Sequence, residues 1–384
     1  MSKSHVDFNI NAQNPHITMP DGVDWDVESW MSSLSDDPAV VDLLWHAMGA
    51  MIRPSVSWNK CIFLYSEKGN NGKGTWCTAA RNLCGEGTYA SIPIADFAKD
   101  FLLEPLVSAS AVIVDENDVG TYVDSGKSFK AAVTGDPISI NRKFMRPIVH
   151  VFRGMMVQCV NDIPKFKDHS PSMYRRWLPI PMTKNFEGIE RKYIKDDYLH
   201  RDDVLQYMLW KVLCGLPDYY ELDEPEACKK LKDEFKIVND PVRQFMDEVD
   251  RCAAWRLLPY TYLYSLYLHW CKVSNPGGKV LNKTNLLREV DKHVDDYTYE
   301  GQPKWIRTKS PVSANGRMTY PEPMIIQYDV EEWMNHEYSG LDPLKKAMPN
   351  VTDHKYRGLL RNPNAPIPDI THGDPDMNLS DDDD

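Results

Sequence analysis

The run EKGNNGKGTW at Glu67–Trp76 places Lys73 at the end of a Gly/Asn-rich turn, where main-chain N–H groups and an ammonium can surround a phosphate. Before it, Cys61–Ser66 (CIFLYS) reads as an apolar strand; after it, Thr75–Leu83 reads as a helix start. That order brings the turn to a helix N-terminus, whose orphan donors and dipole favour an anion. Gly69, Asn70, Asn71, Gly72, Lys73, Gly74 and Thr75 are the candidate nucleotide-phosphate residues. The run departs from G-x-x-x-x-G-K-[ST], because Glu67 replaces the first glycine and Gly74 holds the hydroxyl position, one residue before Thr75. The competing reading is a plain surface turn, since Asn-Asn-Gly is turn chemistry wherever it occurs.

Nucleotide hydrolysis needs a second acidic element at the end of another buried strand. Ala109–Asn117 (ASAVIVDEN) has that form: a β-branched apolar run, then Asp115 and Glu116. Asp115 suits a metal ligand and Glu116 a group that polarises water for attack on a terminal phosphate. A third strand, expected over Val149–Val160, ends in Asn161, an amide able to bond both phosphate and water. Arg175 and Arg176 follow, and either can stabilise charge at a neighbouring subunit's nucleotide. Taken singly these are a solvated acidic turn, an Asn-Asp-Ile-Pro turn and a solvated arginine pair; their ordered succession is what distinguishes them.

That succession resembles the motif series of superfamily 3 helicases, more narrowly the helicase half of poxvirus and phage or plasmid primase-helicases. The resemblance is carried by Glu67–Trp76, AVIVDEND at Ala111–Asp118, FKAAVTGD at Phe129–Asp136 with Arg142-Lys143 behind it, MMVQCVNDIP at Met155–Pro164 and the Arg175-Arg176 segment. It implies an α/β fold, an AAA+ type P-loop ATPase core forming a ring, usually a hexamer, that moves 3′-to-5′ on single-stranded DNA and unwinds forked duplex. It further implies ATP and Mg²⁺, with Lys73 and Thr75 on phosphates and metal, Asp115 as metal ligand, Glu116 as water activator, Asn161 as sensor, and Arg175 or Arg176 as a finger supplied in trans. Glu67 and Gly74 depart from the usual loop and put its first turn and a direct Thr75–metal contact in question.

Charge agrees once it is divided by region. The chain carries a formal net charge of −12, which argues against a passive nucleic-acid binder. Lys127–Lys192 reverses the sign, with thirteen Lys/Arg against five Asp/Glu. Within it ISINRKFMRP reads as a hairpin whose Arg142, Lys143 and Arg146, with Lys127 and Lys130 nearby and Phe144 among the charges, can grip DNA phosphates and stack on a base. The alternative is a basic hairpin that serves solubility. At the other extreme residues 369–384 hold seven Asp and no Lys/Arg, an acidic tail expected to be disordered. It serves solubility or docks a basic partner such as a polymerase or single-strand-binding protein.

No apolar run reaches eighteen residues, the N-terminus lacks a signal-peptide segment, and eight scattered cysteines form no C-x-x-C. These point to a reduced compartment, the bacterial host cytoplasm if the phage resemblance holds, with no membrane partner. No primase acid cluster is present, so priming would fall to a separate primase. The expected organisation is a flexible segment over 1–36, a helical region over 37–56 opened by Asp37-Pro38, the ATPase domain over 57–216, a linker over 217–240, a winged-helix-like α+β domain over 241–335 and a C-terminal segment over 336–384. In the winged-helix-like domain three helices precede β-prone pieces at Tyr297–Arg307 and Met324–Tyr328. Lys283, Arg288 and Lys292 on the third helix, and Lys304, Arg307, Lys309 and Arg317 after it, are backbone-contact candidates or ordinary solvated positions.

Overall fold

A computed structural model describes residues 4–368 apart from 54–55, 118–121, 124–125, 167, 169, 218, 277 and 352. The expected acidic tail lies outside the described residues. The chain divides into two compact units, Met1–Asn239 and Asp240–Asp384.

The first unit is built on a five-stranded sheet: β1 Cys61–Tyr65, β2 Tyr89–Ala90, β3 Ala111–Val114, β4 Met155–Val160 and β5 Trp177–Pro181. Its order is β5-β1-β4-β3-β2, every neighbouring pair parallel. Both faces are covered, which is why β1, β3 and β4 read as unbroken apolar runs rather than alternations. Ile62, Leu64, Ile113, Val157 and Cys159 face one core; Phe63, Val112, Val114, Met156 and Trp177 face another. The chain leaves β1 for the far edge at β2, while β4 and β5 flank β1. Such a switch point opens a crevice at the strands' carboxyl ends.

Helix α1 Val27–Ser32 and helix α2 Pro38–Ile52 precede the sheet. The α2 start is set by Asp37, whose carboxylate accepts the Ala39 N–H, with Pro38 in the first turn. The segment expected to be flexible is instead packed from Met19 onward: Trp25, Val27, Trp30, Met31 and Leu34 are buried in the α2 core. Two tryptophans separated by the four residues Asp26-Val27-Glu28-Ser29 carry no clean helical period, which hid this face. Helix α3 Lys73–Cys84 follows β1, and α4 Gly126–Thr134 precedes a two-stranded hairpin, Pro137–Arg142 with Met145–Val151.

The expected strand Val149–Val160 is therefore two strands, one in the hairpin and one in the sheet, divided at Phe152-Arg153-Gly154. A Cβ on Gly154 would lie 2.1 Å from the Ser110 carbonyl oxygen, so the chain turns there with glycine against neighbouring backbone. The expected linker is also structured. Helix Glu226–Val238 packs Leu231 and Phe235 onto the sheet, with Phe235 edge-on to Phe63, Tyr65 and Trp177. Buried Asn239 ends it by donating to Pro164 O at 3.0 Å and accepting from Phe166 N at 2.8 Å.

The second unit has helices Pro241–Cys252, Tyr260–Ser274 and Lys283–His293, and an antiparallel sheet ordered Leu257–Pro259, Gly358–Arg361, Trp305–Arg307. Its middle strand comes from the segment expected only to trail the domain. Leu359 is buried there, and the Arg361 guanidinium lies over Trp305 at 4.3 Å. Met324–Tyr328, expected as β-prone, is mostly helix Pro323–Gln327, because Pro323 starts a turn capped by the Glu322 carboxylate.

Candidate functional site

The turn after β1 is held open by residues that tolerate a left-handed backbone. Asn70 has φ 53° and Gly72 φ 86°. At Gly72 a side chain would also meet Leu34 Cδ2 at 2.6 Å. Asn71 is buried; its amide donates to Lys68 O and its carbonyl accepts from Lys73 N at 3.2 Å, tying the turn to α3. Asn70 is anchored outward, donating to Glu190 at 3.0 Å while its carbonyl accepts from Phe186 N at 2.7 Å. Glu67 stands where a glycine was expected and accepts from the Tyr65 hydroxyl at 3.1 Å. Burial first, then Glu67, pushes that hydroxyl up to about 12.

Gly72 supplies no capping side chain to α3. Lys73 begins the helix almost fully buried, 7% exposed, and its ammonium donates to Val160 O at 2.8 Å, Ser66 O at 3.3 Å and the Asn161 side-chain oxygen. Burial lowers its pKa from the ordinary lysine value. Its acceptors are neutral oxygens, so a bound anion would be the only full counter-charge among these contacts. Asn161, expected from sequence at a strand end, is thus brought onto Lys73 across 88 residues of chain.

Asp115 and Glu116 follow β3 and are exposed. The Asp115 carboxylate accepts from Arg81 at 2.8 Å. Arg81 and Asn117 were not anticipated. Arg81 lies on α3 eight residues past Lys73. Asn117 accepts from Ile94 N at 3.0 Å and donates to Cys159 O at 3.0 Å, pinning the end of β3 to β4. An asparagine two residues past an acid was the only local signal for it.

The two arginines part company. Arg176 is buried, donates to Ser172 O, leaves Nε without a partner among the described residues, and its carbonyl accepts from Cys61 N at 2.7 Å. Arg175 is exposed. In the hairpin, Lys143 and Phe144 form the turn between Arg142 and Met145; Phe144 is 96% exposed with φ 60°, and the Lys143 ammonium lies 5.4 Å from its ring centre. Arg142 donates to Arg146 O, and the two share the tip. Lys130 does not join them: it sits on α4 in an ion pair with Asp168 at 2.7 Å. Lys127 lies on α4 as well.

A cavity of about 510 Å³ adjoins the turn. Gly72 and Thr75 line one part of it, with Trp25 and Trp30 from the N-terminal segment and Phe186 and Ile194 from the segment after β5. It is large enough for a drug-sized ligand and mostly apolar in its walls. In the second unit, several candidate DNA contacts are engaged internally: Lys292 with Glu289, Lys304 with Asp250, and Arg307 with Asp291 and Asp295.

Residues 64–176, which contain the turn, both acids, Asn161 and both arginines, match a family of unknown function named DUF5906. Residues 238–335 match a family described as poxvirus D5 protein-like. No curated protein matches the chain. Among solved structures the chain is similar to the A form apo structure of the NrS-1 C-terminal region, at 16% identity, 69% of this chain, 61% of that one and a TM-score of 0.43. It is also similar to the X-ray structure of JCV helicase, at 14% identity, 58% and 62% coverage and a TM-score of 0.33. The chain spans about three fifths of each of these structures. The first unit is a mixed α/β fold around a parallel sheet. Among the described residues no helix is long and apolar enough to cross a membrane.

Proposed function

We propose that this protein is a ring-forming, ATP-dependent replicative DNA helicase of a phage or mobile element, an AAA+ type P-loop enzyme that acts in the host cytoplasm. The observation that carries the reading is the convergence on one crevice of a glycine turn, the buried Lys73 ammonium, the Asn161 amide and the Asp115-Glu116 pair, delivered by β1, β4 and β3. Triphosphate fits this ground. Gly72 leaves room for backbone to approach a phosphate, α3 presents an N-terminus without a side-chain cap, and Lys73 has only neutral partners to exchange. The adjoining cavity would receive base and ribose.

Asp115 and Thr75 offer the hard oxygen donors a Mg²⁺ ion takes, and such an ion would neutralise charge between the outer phosphates. In this reaction Lys73 follows the outermost phosphate, Asn161 orients it together with the attacking water, and Glu116 accepts that water's proton. Arg175 is the better trans finger, because its side chain is free to reach another subunit whereas Arg176 is built into its own. The hairpin tip, Arg142, Lys143, Phe144 and Arg146, grips single-stranded DNA in a hexamer's pore with 3′-to-5′ polarity. The second unit is winged-helix-like: three helices and a three-stranded sheet support it, with a long insertion between Trp305–Arg307 and Gly358–Arg361.

The test is steady ATP hydrolysis by the purified chain, stimulated by single-stranded DNA and coupled to separation of a forked duplex. ATP turnover without strand separation would favour instead an ATPase that loads or remodels a replication partner, such as a separate primase, polymerase or single-strand-binding protein. No turnover at all would remove the reading.

A further inference from the structure

Behind the phosphate turn, three elements each bring one metal-ligating group to the same place. Cys77 on α3 and Cys159 on β4 are buried with their sulfurs 3.4 Å apart. The Asp115 carboxylate, at the end of β3, completes the group, and the three donor atoms all lie within 4.8 Å of one another. Nothing in the helicase reading uses the thiols. We propose that Cys77, Cys159 and Asp115 form a binding site for a soft divalent cation, Zn²⁺ or Cd²⁺, with water in the fourth position.

The geometry fits a four-coordinate ion. With metal–sulfur bonds of about 2.3 Å, tetrahedral angles set two sulfurs about 3.8 Å apart, so the observed pair needs to open by only a few tenths of an ångström. Two sulfur donors select against Mg²⁺ and Ca²⁺, which take oxygen. Charge also balances: one divalent ion replaces two thiol protons, so the buried charge next to Lys73 and Arg81 does not rise. Access comes through Asp115, whose side chain is 39% exposed although both thiols are closed off. Arg81, already bonded to one carboxylate oxygen, would hold Asp115 in orientation as an outer partner.

Binding there has a consequence for activity that rests on the proposed function: an ion on Asp115 withdraws the carboxylate from Mg²⁺ and blocks turnover. The experiment separates the two claims. Full-length protein in a phosphine reductant is titrated with Cd²⁺, following the ultraviolet thiolate-to-cadmium charge-transfer band and bound metal by equilibrium dialysis. Zn²⁺ then competes. The expected result is one Cd²⁺ per chain with a band that disappears in Cys77→Ala/Cys159→Ala, which keeps the other six cysteines. Asp115→Asn, at an exposed position, should keep the band but bind about tenfold or more weakly. Near-ultraviolet circular dichroism checks that each variant is folded, and single Cys159→Ser replaces the double variant if that one is not. An unchanged band in the folded cysteine variant, no binding by wild type, or a Cys77–Cys159 disulfide in place of metal uptake would overturn the site. Cd²⁺ inhibition that is lost in the cysteine variant tests the consequence; a chain without ATPase activity leaves the binding result standing.

Discussion

Replacing Lys73 with alanine removes the ammonium that joins the helix start to Val160 O on β4 and to Ser66 O just after β1. Its three oxygen partners and 7% exposure make it a preorganised, largely dry donor. Deleting one such donor from the transition state of group transfer costs about 3–4 kcal/mol, or about 10²–10³ in kcat. The fold should lose far less. The variant leaves Val160 O and Ser66 O without the lysine, yet it also relieves the burial that holds the ammonium's pKa down. Those terms oppose each other, so a net change of about 1 kcal/mol is expected, equivalent to about 2–4 °C for a unit of this size. A coupled assay of ATP turnover, run beside a thermal melt and near-ultraviolet circular dichroism, reads both numbers. A folded Lys73→Ala protein that turns over ATP within about threefold of wild type would refute the assignment of this turn to the phosphates.

Glu116→Gln should retain nucleotide binding, followed with a fluorescent ATP analogue, while single-turnover hydrolysis slows by about a hundredfold or more. Lys143→Ala and Phe144→Ala should leave basal ATP hydrolysis intact and impair strand separation; unchanged unwinding would reject the hairpin's role. Mixing Arg175→Ala with Lys73→Ala subunits should restore turnover that neither variant shows alone, because a site with intact Lys73 then receives Arg175 from its neighbour, whereas Arg176→Ala should act mainly through stability. Glu322 supplies a pH test: burial raises its carboxyl from 4.5 to about 7 against the pull of the Ala254 and Trp255 N–H groups. The folded acid holds its proton more tightly than the unfolded one, so the stability it contributes is full below about pH 4.5 and is lost as pH rises through about 7, about 3 kcal/mol across that window. Denaturant melts of the Glu322→Gln chain should be flatter over that range, and an unaltered slope would contradict the assignment.

What the sequence made legible was what local chemistry determines. The helix start at Asp37-Pro38, the strand Cys61–Tyr65 and the hairpin turn at Lys143-Phe144 all follow from caps, apolar runs and turn residues in their own neighbourhood. Misreadings arose where a distant partner decided. Trp25 and Trp30 look like stray aromatics in a polar segment until α2 and the cavity wall are in place. Gly154 looks dispensable inside an apolar run, yet the Ser110 carbonyl beside it divides that run between hairpin and sheet. Gly358–Arg361 is four residues with no alternation, and becomes a central strand because Leu257–Pro259 and Trp305–Arg307 leave a place between them.

The candidate site shows the same division more sharply. Lys73 and Asp115 stood out as candidates because each follows an apolar strand in a motif of the right type. Their relation to each other was not, because it depends on which strand lies between β1 and β3. With β4 inserted there, Asn161 reaches Lys73 directly, while Asn117 bonds β4 at Cys159 O and so fixes where the acids stand relative to that amide. Swapping β4 to an edge would keep every motif and lose both contacts. A consequence follows for Asn117→Ala: it removes no group proposed to touch nucleotide, but frees the end of β3 from β4, so it should act on the placement of Asp115 and Glu116 rather than on the phosphate turn.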